Sequence, residues 1–218
     1  MKTINVTDLS HYVELTTSDK FDGRIYRGVS DFTSHKLIPP IGRSPRWSNL
    51  PLKKITIAER SMLKRFKEEG APFVAEPLTD WEWLVLARHH GLPGRLLDWS
   101  RNPLVALYFA VQGHNAEPGA VYAEMFNQTI LTAKVADPFT VEKVSKLIPV
   151  HAHPRISAQD SILTVHPDPR EVYASNSLLC LKVAGKLKLH TKHALRRIGI
   201  HPAIIYPGLD GVAESIRG

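Results

Sequence analysis

Residues 89–110 read HHGLPGRLLDWSRNPLVALYFA. Two adjacent histidines, Arg95, Asp98 and Trp99 precede a run from Pro103 to Ala110 that is almost wholly apolar. Boundary signals on either side set its local structure. Upstream, Thr79 and Glu82 form a capping box that opens a helix through WEWLVLARHH, and Gly91 ends it. Downstream, Asn102 followed by Pro103 pairs a cap with a first-turn proline, so LVALYFAVQ is a helix that closes at Gly113. Apolar around its whole circumference, that helix has to be buried. GLPGRLLDWS is then a connection pinned at both ends, with Leu92, Leu96 and Leu97 anchored in the core. Ionisable groups held beside apolar walls are the makings of a ligand cleft.

The same residues admit plainer readings. Arg95 and Asp98 can form a buried ion pair that only organises the loop. Trp99 can be core or a stacking platform, and one of His89 and His90 should turn inward toward a backbone carbonyl. A metal shared by the two histidines is disfavoured, because adjacent helical residues diverge by about 100°. His151-x-His153 could chelate from a strand, yet neither HEXXH nor paired carboxylates accompany it. There is no Walker loop, GxGxxG or GxSxG elbow.

Outward from this block, GRIYRGVSD (23–31) reads as a strand and HKLIPPIGRSPRWSNLPLKK as a long ordered loop. Thr56 and Glu59 form a second capping box. Ile55, Ala58, Met62, Leu63 and Phe66 follow at helical spacing until Gly70, with Lys64, Arg65, Lys67, Glu68 and Glu69 outward. APFVAEPLTD is a loop. Beyond Gly113, GAVYAEMF, SLLCLKVAG and PAIIYPG look like strands, and KHALRRIGI like a short helix. Helices first and strands later, with one early strand, indicate a single α+β domain over residues 1–218.

Composition is ordinary for a globular chain, 43% hydrophobic and 22% charged. Its 28 basic and 21 acidic residues give +7 and a pI near 9.5, which favours polyanions or phosphate-bearing small molecules. The one cysteine, Cys180, excludes an internal disulfide and any multi-cysteine zinc site, and reads as a small buried residue. MKTINVTDLSHYVEL lacks an apolar signal core and no run of about 18 apolar residues occurs, so a cytoplasmic chain without a membrane partner is expected.

Tyr26-Arg27-Gly28 and HHGLPGRLLDWSRNPLVALYFA together resemble the FRG-domain family. That family has an F/Y-x-R-G-like element near its start and an H-(H/Y)-G-L-P-T-R-L-L-D-W-(T/S)-x-N-P-L-x-A-L-Y-F-A block. Arg155-Ile156-Ser157-Ala158-Gln159 and IYPGLDGVAESI are weaker echoes. The chain departs from the pattern at Gly94, where the family has Thr, and at Gln159-Asp160-Ser161-Ile162-Leu163, where it has Q-x-G-x-F.

The resemblance implies an ADP-ribosyltransferase-like fold, a split antiparallel sheet with N-terminal helices that grips NAD as substrate. It implies transfer to a nucleic-acid, nucleotide or protein acceptor, or NAD glycohydrolysis, in the setting of a toxin or phage-defence effector switched by a partner protein. Arg27, His90 and Gln159 are the implied catalytic residues. Arg27 would hold the pyrophosphate or adenosine ribose, His90 a ribose hydroxyl, and Gln159 the acceptor. Tyr26, Arg27, Gly28, His89, His90, Arg95, Asp98, Trp99, Tyr108 and Arg155 would contact NAD, with Tyr108 or Trp99 flanking the nicotinamide. The glutamate that activates the acceptor in ADP-ribosyltransferases has no clear counterpart: Gln159 stands near its place, and Glu171 is a poorer candidate. That gap, the +7 charge and RSPRW (43–47) favour an alternative, a non-catalytic nucleotide- or nucleic-acid-binding module.

Overall fold

A Cβ on Gly28 would stand 1.8 Å from the Ala106 carbonyl oxygen, so a helix lies directly on a strand at this point. That contact organises the molecule in a computed structural model that describes residues 1–113, 116–126, 129–130, 132, 134–149 and 154–217. The chain opens with β1 (Lys2–Val6), α1 (Leu9–Thr16) and β2 (Ile25–Val29). Next come α2 (Pro40–Arg43), α3 (Leu52–Gly70), α4 (Asp80–His89), β3 (Leu96–Ser100) and α5 (Pro103–Ala110). β4 (Gly119–Glu124), β5 (Ser145–Leu147), α6 (Pro154–Ala158), β6 (Ser161–Val165) and β7 (Leu179–Val183) follow, and α7 (Gly185–Arg197), α8 (Pro202–Ile205) and α9 (Leu209–Arg217) close it.

The strands form one mixed sheet in the order β1-β7-β4-β2-β3-β6-β5. Every neighbouring pair is antiparallel except β1 with β7, so the expectation of an antiparallel sheet holds everywhere but at that edge. β2 pairs with β4 over its whole length, and β3 likewise with β6. Between β2 and β3, however, only Tyr26 and Ser100 are in register. The sheet therefore opens at its middle, and a gap runs between its halves.

Local signals work where they are strong. Thr79 caps α4 in a complete capping box, and Gly91, at φ 87°, follows the helix in the left-handed region that glycine tolerates. The Asn102 carboxamide accepts from the Leu104 and Val105 amides at the start of α5. α5 is apolar all round and buried, packed with Tyr12, Tyr26, Val121, Leu181 and Leu195. Cys180 is buried as expected.

Other expectations give way to tertiary pairing. GLPGRLLDWS is not only a connection. Its second half is β3, because β6 supplies a ladder partner 65 residues downstream, Leu163 facing Asp98. Thr56 and Glu59 do not cap a helix: α3 starts at Leu52 after Pro51, and both side chains bond Arg95 instead. The presumed loop 35–54 contains α2 and the first turn of α3. PAII is the helix α8, with Pro202 in its first turn, Ile205 buried and Ile204 half exposed, where a strand was expected. KHALRRIGI falls mostly within α7, which begins earlier, at Gly185. No described helix is long and apolar enough to cross a membrane.

Candidate active site

The gap between β2 and β3 is bridged by a side chain. Arg27 of β2 donates from Nη1 to the Asp98 carbonyl oxygen of β3 at 2.5 Å, and the same nitrogen lies 3.5 Å from the Asp98 carboxylate. Arg88, from the last turn of α4, reaches that carboxylate at 2.5 Å. One acid thus sits between two guanidinium groups. Burial pushes the Asp98 carboxyl upward, but Arg88 and Arg27 outweigh it and hold its pKa below the ordinary value. Burial also lowers Arg27, to about 10; Asp98 opposes this, while Arg43 and Arg88 reinforce it. Arg43 is lowered by burial and then by Arg88.

Around this triad lies a cavity of about 330 Å³ lined by Tyr26, Arg27, Gly28, Arg88, His89, Asp98, Ser100, Phe109, Arg155, Gln159 and Tyr206, among others. Asp98 is the one carboxylate among its lining residues. The far wall is held by short bonds. Ser100 Oγ donates to the Gln159 carbonyl at 2.6 Å, and the Gln159 side-chain amide donates to the Ile205 carbonyl at 3.1 Å. Asp160, with φ 43°, turns the chain sharply after Gln159 and is held by Arg101. Arg155 donates to the His89 carbonyl at 3.3 Å and stands over the Tyr206 ring, 5.6 Å from its centre.

Arg27, Gly28, Phe109 and Tyr206 also border a second compartment of about 290 Å³, with His35, Arg43, Tyr108, Gln112 and Glu214. The Arg27 and Arg88 Nε atoms and the Tyr108 hydroxyl are buried without a hydrogen-bond partner. Such groups cost free energy in a folded chain and are found where something other than folding sets the side chain.

The expected site residues divide. Tyr26, Arg27, Gly28, His89, Asp98, Trp99, Arg155 and Gln159 meet in the first compartment, and Tyr108 belongs to the second. Of the two histidines, His89 lines the polar cavity, while His90 lines a different, apolar one. Arg95 does not pair with Asp98. It is fully buried against Glu59, Nε to Oε2 at 3.0 Å, because β-strand alternation points residues 95 and 98 in different directions. The Trp99 ring is core, edge-on to Phe126 and Tyr173, with its indole nitrogen donating to Thr164 Oγ1 at 3.0 Å. His166, 3.0 Å from the same hydroxyl, is pushed down to about 3 by burial and by Arg27 and Arg95, so its imidazole is neutral. Glu171 is not among the residues lining either compartment. His151 and His153 lie outside the described residues.

Sequence reasoning missed Arg88, Arg43, Ser100 and Tyr206. Arg88 carried a signal, a cation one residue before two histidines in the last helical turn; the others gain their positions only through long-range packing.

The model of the FRG domain family matches residues 22–118. This stretch is similar to an FRG domain. It holds β2 to α5, and with them Arg27, Arg43, Arg88, His89, Asp98 and Phe109. Arg155, Gln159 and Tyr206 complete the cavity from beyond the matched stretch. No curated protein and no solved structure matches the chain.

Proposed function

We propose that the cleft at the opening of the sheet binds NAD and that the chain breaks its nicotinamide–ribosyl bond, passing ADP-ribose to an acceptor or to water. What supports the reading is an arginine cluster, the buried Arg27 with Arg88, Arg43 and Arg155 around it, at the place where β2 and β3 part. Guanidinium groups fork onto paired anionic oxygens, so a pyrophosphate suits Arg27 and its neighbours. Two joined compartments give a dinucleotide room on both sides of it. Phe109 and Tyr206, ring centres 6.3 Å apart, offer an aromatic wall for the nicotinamide. His89 takes the ribose-hydroxyl role that the sequence assigned to His90. Gln159, oriented through Ile205, faces the acceptor side.

In the reaction the C1′–N bond breaks and its electron pair leaves with neutral nicotinamide, while positive charge grows on the ribose. A nucleophile from the acceptor or water then bonds to C1′ and gives up a proton. Asp98 is the negative group at hand, and its electrostatic help is tempered by the two arginines it already serves.

That tempering favours a second reading, a nucleotide-binding module without catalysis. Incubation with nicotinamide-labelled NAD, with and without nucleic acid or protein acceptors, separates the two. Free nicotinamide from the native chain, absent in a folded Arg27→Met variant, supports the transferase reading. NAD binding by calorimetry with no nicotinamide released under any condition replaces it with the second, and no NAD binding removes the transferase reading.

A further inference from the structure

On the other side of α4 lies a larger cavity, about 640 Å³, between α3, the segment 73–79, α4, β5 and α6. Its walls are Phe66, Trp81, Trp83, Leu86, Leu147 and Ile156, with Ile148 at its border. Phe66 meets Trp83 edge-on at 6.0 Å, and the Trp81 indole donates to the Val135 carbonyl at 2.6 Å, so these rings are fixed. A void of this volume, walled by fixed aromatic and aliphatic groups with a few polar atoms, has the size and lining of a small-molecule site. It shares no lining residue with the arginine-lined compartments. Its chemistry is also opposite. Apart from His90, its ionisable lining residues are Glu76 and Glu82, both carboxylates. Glu82 is held in place by the Thr79 amide and hydroxyl, at 2.8 and 2.7 Å.

We infer that this cavity is a second binding site, for a small apolar molecule with a neutral or amine head. An apolar chain or ring fills the walls, and the two carboxylates repel an anionic head such as a fatty acid's. The site does not depend on the NAD reading. It does sit back to back with the polar cleft: at the end of α4, His89 lines one cavity and the next residue, His90, the other, and α6 sends Arg155 to one and Ile156 to the other.

The test uses the full chain and the neutral probe N-phenyl-1-naphthylamine, displaced by dodecanol, dodecylamine or dodecanoate below their aggregation limits. Saturable binding at one equivalent is expected, with dodecanol and dodecylamine at least about tenfold tighter than dodecanoate. Leu86→Trp and Ile148→Trp, at partly exposed wall positions, should fill the cavity and abolish binding while circular dichroism and urea unfolding stay native. Glu76→Gln, at an exposed position, should tighten dodecanoate about threefold and leave dodecanol unchanged. Absence of saturable binding, equal affinity for the three head groups, or binding that survives both tryptophan variants would overturn the proposal.

Discussion

Arg27 borders both compartments of the cleft, and its surroundings explain what it costs the fold. Its pKa falls to about 10, so it is charged at neutral pH but held in a place that disfavours charge. A base with a depressed folded pKa penalises the fold below that value, and the penalty is relieved as pH rises through it. Replacing a buried ion pair by apolar groups is often neutral or stabilising, and removing Arg27 alone still leaves Asp98 its other partner, Arg88. Arg27→Met is therefore expected to unfold within about 1 kcal/mol of the native chain, or above it, in urea at pH 7. A loss of several kcal/mol would show that the bridge from Arg27 to the Asp98 carbonyl holds the sheet together.

Asp98 gives the complementary titration. Its folded pKa is depressed, so its contribution to stability is present above its unfolded value, about 4, and is lost as pH falls through the folded one. Arg88→Ala removes the stronger of the two opposing charges. The Asp98 carboxyl should then titrate at a higher pH, read by carbon NMR, and stability should fall less steeply on acidification. An unmoved titration would reassign the effect to Arg27 alone.

At the scale of elements, the contact of α5 with β2 is the joint on which the cleft depends. Only the absence of a side chain at Gly28 lets Ala106 come so close, and the clashing atom is backbone, which cannot swing aside. Gly28→Ala should cost about 3 kcal/mol or open the joint, since overpacking forces backbone shifts. Equilibrium unfolding together with NAD binding checks it; native stability and binding would mean that α5 can lift without consequence. The Asn102 cap is a milder case. Asn102→Ala leaves the Leu104 and Val105 amides without their acceptor and should cost about 1 kcal/mol.

Across the whole molecule, the Glu59–Arg95 pair latches α3 to the start of β3. Glu59 accepts from the Arg95 backbone amide at 2.6 Å as well as from its guanidinium, and both side chains are almost fully buried. Glu59→Ala strands a buried cation and should cost about 3–5 kcal/mol, while Glu59→Met with Arg95→Met should recover most of it. Denaturant unfolding of the three chains decides. A single-mutant loss below about 1 kcal/mol would show that the latch is not needed.

The amino-acid sequence alone determined the helix starts at Thr79 and Asn102, the stop at Gly91, the burial of α5, and the block that marks an FRG domain. Each rests on residues within a turn of one another, so the local chain suffices. The resemblance to the FRG family also named most of the cavity, Arg27, His89, Asp98, Arg155 and Gln159 among its lining residues. Only the tertiary structure decided that Leu96–Ser100 is a strand, that Asp98 serves Arg27 and Arg88 while Arg95 turns to Glu59, and that His89 and His90 face different cavities. Most of those outcomes depend on which segments lie alongside across 36 to 71 residues of chain, and hydrogen-bond ladders and buried charges are satisfied by partners that no local pattern specifies.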